Sequence, residues 1–166
     1  MTVVSTTKDT EALSFTIVSD LAAAPSRVWQ IWSDPRQLEQ WWGPPTWPAT
    51  FEDVKLVEGA GVSYYMTGPD GTKAHGWWVI TAVDEPHSVE FDDGFSDESG
   101  QPNREMPTIK MRVDLEEIST GTRMSIQSSF ATVADMDQLV TMGMIEGMTE
   151  ALGQIDALLT AGSGGR

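Results

Sequence analysis

The chain has no cysteine. Disulfides, thiolate nucleophiles and cysteine-ligated metal or iron–sulfur centres are therefore excluded, and nothing points to an oxidising compartment. Histidine is nearly as scarce, with only His75 and His87. A three-ligand zinc site would need carboxylates to complete it, and no metal-ligand spacing is visible. Positive charge is also short: 10 Lys and Arg against 25 Asp and Glu give a formal net charge of -15. So acidic a surface repels phosphate backbones and anionic head groups, so neither nucleic acid nor membrane is expected as a partner; the plain consequence is solubility. No apolar run is long enough to span a bilayer, and Met1–Glu11 lacks a basic stretch followed by an apolar one. A cytoplasmic protein is expected. There is no nucleophile elbow, phosphate-cradling glycine loop or dinucleotide fingerprint, and no cofactor is expected.

What is present fits one domain with a real core: 166 residues, 40% hydrophobic and 21% charged. Residues 1–11 read as a flexible polar leader, 12–160 as the single domain and 161–166 as a disordered glycine-rich tail. Leu13–Asp20 alternates and is rich in β-formers, the mark of a first strand. Ala24-Pro25-Ser26 opens a short helix with Val28, Trp29, Ile31 and Trp32 on its apolar side. Asp34-Pro35 ends it and caps a second helical turn through Trp41, which Gly43-Pro44-Pro45 stops. Strands are then expected over 51–57, 62–67, 74–83 and 88–91, with turns at Glu58–Gly61, Pro69-Asp70-Gly71 and Glu85-Pro86-His87. Asp92–Met106 is polar and reads as a long loop. Thr108–Ile118 and Thr122–Ala131 form a last hairpin.

The strand 108–118 carries most information. Ile109, Met111, Val113 and Leu115 share one parity, and Lys110, Arg112, Asp114 and Glu116 the other. That is an antiparallel strand with one wet face and one apolar face that something must cover. The cover is Ala134–Leu159, where Met136, Val140, Met144, Met148, Ala151, Leu152, Ile155 and Leu159 recur at helical spacing. The expectation is an α+β fold: a curved antiparallel sheet around a long C-terminal helix, with two short helices after strand 1.

In this order and at these separations, several stretches carry a resemblance. They are Ala24–Trp29 with Trp32, Asp34-Pro35, Leu38 and Trp41-Trp42; Val83–Phe91; Asp93–Gly100; Gly121–Met124; and Met142–Met148 followed by Leu152 and Leu158. Together they resemble the activator of Hsp90 ATPase homologue-like (AHSA1-like) family, within the START/Bet v 1-type SRPBCC superfamily. The resemblance implies the helix-grip fold, a container whose members include lipid and hormone binders, polyketide cyclases, self-sacrificing resistance proteins and a co-chaperone domain. It raises the prospect of a hydrophobic ligand without saying which. Many members carry Gly-Trp in the last helix where this chain has Gly147-Met148, a difference that would reshape a pocket.

The residues that could line such a pocket are aromatic and thioether. Of the seven tryptophans, Trp29 and Trp32 read as core, while Trp42 and Trp47 flank Gly43-Pro44-Pro45 at a cavity mouth. Trp77 and Trp78 must point to opposite faces; Trp78 is taken as inward, with Ile80, and an exposed Trp77 would offer a homodimer contact. Either Tyr64 or Tyr65 faces inward and offers a hydroxyl. The pocket candidates are Trp42, Trp47, Tyr64, Met66, Trp78, Ile80, Phe91, Phe95, Met111, Met144 and Met148. Gly143 and Gly147 imply either close approach to the sheet or room left for a ligand. Glu146, if inward, would be a buried general acid, but its place flanks the apolar stripe. Asp92, Asp93, Asp97 and Glu98 fail the calcium-loop pattern and read as solvated. No catalytic residue and no metal ligand is assigned. A binder of a small hydrophobic or aromatic molecule is the leading reading, ahead of a polyketide cyclase/dehydratase-like enzyme and of an Hsp90 co-chaperone-like interaction module.

Overall fold

The computed structural model describes residues 2–164. Eight antiparallel strands make one sheet: β1 (Thr2–Asp9), β2 (Ser14–Leu21), β3 (Ala49–Phe51), β4 (Gly61–Thr67), β5 (Lys73–Asp84), β6 (Ser88–Ser96), β7 (Ile109–Ile118) and β8 (Gly121–Ser129). Their order is β1-β2-β8-β7-β6-β5-β4-β3. Helices α1 (Pro25–Ser33) and α2 (Pro35–Leu38) fill the connection from β2 to β3. The alternation read in β7 is realised: Ile109, Met111, Val113 and Leu115 are buried. On the other face Lys110 pairs with Asp92, and Arg112 with Glu90 and Asp114. A register shift between Ile80 and Ala82 marks a bulge in β5, the device that bends a strand.

Local chemistry explains the punctuation. Pro25 stands at the first turn of α1, where its missing N–H costs nothing. The Asp34 side chain accepts from the Arg36 N–H and caps α2. Thr132 caps the start of the C-terminal helical arm, its side chain accepting from Asp135 N–H at 3.0 Å.

Five expectations are corrected. Residues 2–9 are not a leader but the edge strand β1, paired along β2. Its side chains are mostly exposed, so no apolar alternation announced it. The β-branched run Val3, Val4, Thr6, Thr7 and the main-chain ladder hold it. Residues 92–96 are strand, not loop, because β6 continues against β5 through Ser96. Residues 54–57 lie outside any strand, and β3 is only Ala49–Phe51. The C-terminal helical arm runs from 133 to 164 in three segments, α3 (Val133–Thr141), α4 (Met144–Leu152) and α5 (Ile155–Gly164). Gly143, at φ +95°, ends α3 in the left-handed region that side chains disfavour. The tail expected to be disordered is helical backbone through 164, and Gly165 and Arg166 lie outside the described residues.

The core unites the inner face of the sheet with α1, α2 and the helical arm. Gln154, at the α4–α5 break, donates to the carbonyls of Trp41 and Gly43 at 3.3 and 2.8 Å, tying the arm to the segment after α2.

Candidate functional site

The inner face is unusually aromatic. Trp78 stacks on Phe91 with ring centroids 4.2 Å apart, and Trp42 meets Trp78 edge-on at 5.0 Å. Trp32 contacts Trp41 at 4.7 Å, and Phe51 stacks on Tyr64 at 5.0 Å. Such pairs contribute roughly 0.5–1.5 kcal/mol each beyond their burial.

Tyr64 occupies this box through a gap in the sheet's side chains. Its register partner on β5 is Gly76. A Cβ at position 76 would stand 2.5 Å from the phenol Cζ and oxygen. Glycine therefore lets the ring lie across β5 and reach β6, where its hydroxyl donates to Asp93 Oδ1 at 2.8 Å. Asp93 is itself buried, with 8% of its surface exposed. Its register partners are Trp78 on β5 and Ile109 on β7. No ion pair among the described residues includes it.

Burial pushes the Asp93 carboxyl up to about 7, with the Tyr64 hydrogen bond acting in the opposite direction. Burial, and then the charge on Asp93, push the Tyr64 phenol well above its ordinary range. The indole N–H groups of Trp42 and Trp78 lie close enough to favour the phenol's anion, yet neither makes a hydrogen bond of acceptable geometry. The result is a carboxyl–phenol pair inside an aromatic wall, with two buried donors left over.

The candidates divide into two groups. Trp42, Trp78, Ile80, Phe91 and Met111 are buried. Trp47, Tyr64, Met66, Phe95, Met144 and Met148 keep part of their surface. The structure brings Trp42, Tyr64, Trp78 and Phe91 together in one ring cluster. Met111 and Met148 meet at Ser128, whose hydroxyl donates to Met111 Sδ at 3.3 Å and lies 4.0 Å from Met148 Sδ. Trp47 lies over Gly68, apart from that cluster. Trp78 is the inward member of its pair, as expected. Trp77 lies on the outer face and keeps part of its surface; its ring covers Gly94 and its N–H donates to the Phe95 carbonyl at 3.0 Å.

Gly147 has nothing within 4 Å of where a Cβ would stand, which removes the close approach to the sheet as the reason for this glycine. Glu146 is exposed on α4, which removes it as a buried acid. His87 is exposed, and His75 packs beside Tyr65, 5.6 Å between rings. A surface depression of about 590 Å³ lies at the start of β5 and the end of β6, lined by residues including His75, Asp97 and Met106, and it touches the candidate set only at Phe95.

Asp93 corrects the reading of its segment as solvated loop. The signal was in the alternation Val89, Phe91, Asp93, Phe95, which carries the inward parity past Phe91. The neighbouring acids Asp92, Asp97 and Glu98 hid it, since one buried carboxylate among several solvated ones has no compositional mark.

A single antiparallel sheet holding a long C-terminal helical arm against its inner face, with short helices after the second strand, defines a helix-grip protein. The chain belongs to the activator of Hsp90 ATPase homologue-like family: the family described as Activator of Hsp90 ATPase homolog 1-like protein matches residues 22–160. A protein from Arthrobacter aurescens, solved by solution NMR, is 55% identical over 96% of this chain and 93% of its own, with a TM-score of 0.92. The crystal structure of a protein from Mycobacterium smegmatis is 48% identical over 96% of this chain and 98% of its own, with a TM-score of 0.88. The AHSA1 protein of Silicibacter pomeroyi shares 21% identity over 89% of this chain and 98% of its own at a TM-score of 0.74, a likeness of fold alone. None of the curated proteins matches the chain. No helix among the described residues is long and apolar enough to cross a membrane.

Proposed function

We propose that the protein binds a small hydrophobic or aromatic molecule between the open half of the sheet's inner face and α4. One observation carries this reading: Tyr64, Met66 and Phe95 belong to the inner face, and Met144 and Met148 pack against the same core, yet all five keep part of their surface, and α4 carries a glycine, Gly147, with open space where a Cβ would stand. Apolar side chains on a covered face normally seal one another, and a half-sealed set suits an apolar guest. The methionines can adapt to its shape.

The test is intrinsic tryptophan fluorescence during titration with fatty acids, steroids, flavonoids and aromatic polyketides. Saturable quenching or a blue shift, reduced by Trp42→Ala and by Met148→Trp, is the expected result. A folded protein that responds to nothing in the panel overturns the reading.

The Tyr64–Asp93 pair supports a second reading, an enzyme of cyclase or dehydratase type. A carboxyl near neutrality beside a phenol is equipped to take and return a proton. Following a bound compound by mass spectrometry separates the two: an unchanged compound supports the binder, and a product lost in Asp93→Asn supports the enzyme.

A further inference from the structure

Asp93 offers more than a contact to Tyr64. Oδ1 takes the phenol hydroxyl, while Oδ2 has no hydrogen-bond partner among the described residues. Oδ2 is nevertheless absent from the sealed, unpartnered polar atoms, which are Ser19 Oγ, Trp42 Nε1 and Trp78 Nε1. The 8% of Asp93 that remains exposed therefore includes an uncommitted carboxyl oxygen, next to an aromatic wall. The two sealed indole N–H groups beside the pair are spare donors of the same locality.

Resting on the binding reading above, we infer that Asp93 is the specificity determinant of this face, selecting aromatic ligands that carry a hydroxyl donor for Oδ2. The reasoning is electrostatic. A guest without a donor that covers Oδ2 removes its remaining water and returns nothing, so it binds only the neutral carboxyl and takes up a proton. A guest whose hydroxyl points at Oδ2 replaces that water with a charge-assisted hydrogen bond and binds the ionised form. The two classes of ligand must then respond to pH with opposite sign.

The other charged groups near Asp93 leave this switch to it alone. From β4 the facing group is Tyr64, and from β5 and β7 the partners are Trp78 and Ile109. From the helical arm, Val140, Met144, Ile145 and Met148 pack on the core without a titratable atom. Asp92 and Lys110 pair with each other on the outer face. His75 sits with Tyr65 and Lys73, on the parity opposite Trp78. Beyond the box, Arg36 and Glu39 bind the backbone of Phe51 and each other.

The experiment uses 2-naphthol and its methyl ether, in which a methyl group replaces the donor hydrogen. Binding is measured by calorimetry from pH 5 to pH 9, in buffers of different ionisation enthalpy so that proton uptake is read directly. The expected result is that the ether weakens as pH rises through about 7 and binds with proton uptake, while the naphthol holds or gains affinity. Above that pH the naphthol leads by roughly tenfold, the usual effect of a hydrogen bond to a charged group. Asp93→Asn, with its fold verified by circular dichroism, binds both and loses the opposing pH trends. Tyr64→Phe, which removes the bond that holds the carboxyl down, moves the crossover to higher pH. Two ligands that bind with the same affinity and the same pH trend overturn the inference and leave the binding reading standing. Two ligands that fail to bind at every pH overturn the inference, and the fluorescence panel then decides the binding reading.

Discussion

The two halves of the inner face use the same side-chain types and reach different degrees of closure. Around β2, β7 and β8, Phe15, Ile17, Met111, Val113, Met124 and Ile126 are fully covered, and α1 lays Trp32 against Met124, its indole N–H 3.4 Å from the sulfur. Around the ends of β4 and β6, Tyr64, Met66 and Phe95 remain half-exposed although α4 stands over the core. The difference is in the cover. Helix α1 is short, amphipathic and built on two tryptophans and two branched residues that fill the space to the sheet. Helix α4 brings methionines and a glycine that has open space beside it, and its Met148 sulfur lies 4.0 Å from the Ser128 hydroxyl on β8. The polar groups sort the same way. The covered half keeps small hydroxyls such as Ser128 and Thr122, whereas the open half holds a carboxyl and a phenol.

The comparison can be broken most directly in the covered half. Trp32→Ala leaves a cavity that its neighbours cannot fill, and urea unfolding should show a loss of about 3–5 kcal/mol. A loss below about 1 kcal/mol would mean that this half is no better packed than the other.

The next effect belongs to Asp93 and depends on pH. Its carboxyl ionises at about 7 when folded, against 3.8 as the ordinary value. Between those values the folded state holds a proton that the unfolded state has released. This contribution is therefore full below about pH 4, declines as pH rises towards 7 and is flat above, with a slope approaching roughly 1.4 kcal/mol per pH unit. Asp20, Asp70 and Asp97 are shifted the other way, so their contributions change only at more acidic pH. Denaturation curves from pH 4 to pH 8 should show the decline in the natural protein and lose it in Asp93→Asn.

Gly76→Ala comes third. The added methyl stands against the Tyr64 ring, and crowding of this kind costs about 1–3 kcal/mol. The variant should also release Tyr64 from Asp93, so NMR titration of the carboxyl should place its ionisation higher than in the natural protein. The smallest effect is Met148→Ala in the open half. Its side chain is half-buried, so melting curves should report about 1 kcal/mol or less, while ligand titrations change more than stability does.

Most of the scaffold was legible from residues. The parity of 108–118, the apolar face of 136–159 and the cap at Asp34 are local signals, and each appears in the structure, the helical stretch in three segments. The site was legible in part. That one of Tyr64 and Tyr65 and one of Trp77 and Trp78 must face inward followed from strand alternation, but which one waited on the register. Asp93 was obscured by acidic neighbours, and β1 by the lack of any buried face.

By itself, the sequence determined the alternation of faces, the stops and caps, and the wealth of rings that had to gather somewhere, because these depend on the period of a strand or helix and on a few dihedral preferences. Only the tertiary structure decided which rings meet, that Gly76 opens a path from β4 to β6, and that one aspartate among many is taken out of water. Those depend on register between strands distant in sequence, and desolvation is a property of everything packed around a group, not of the group.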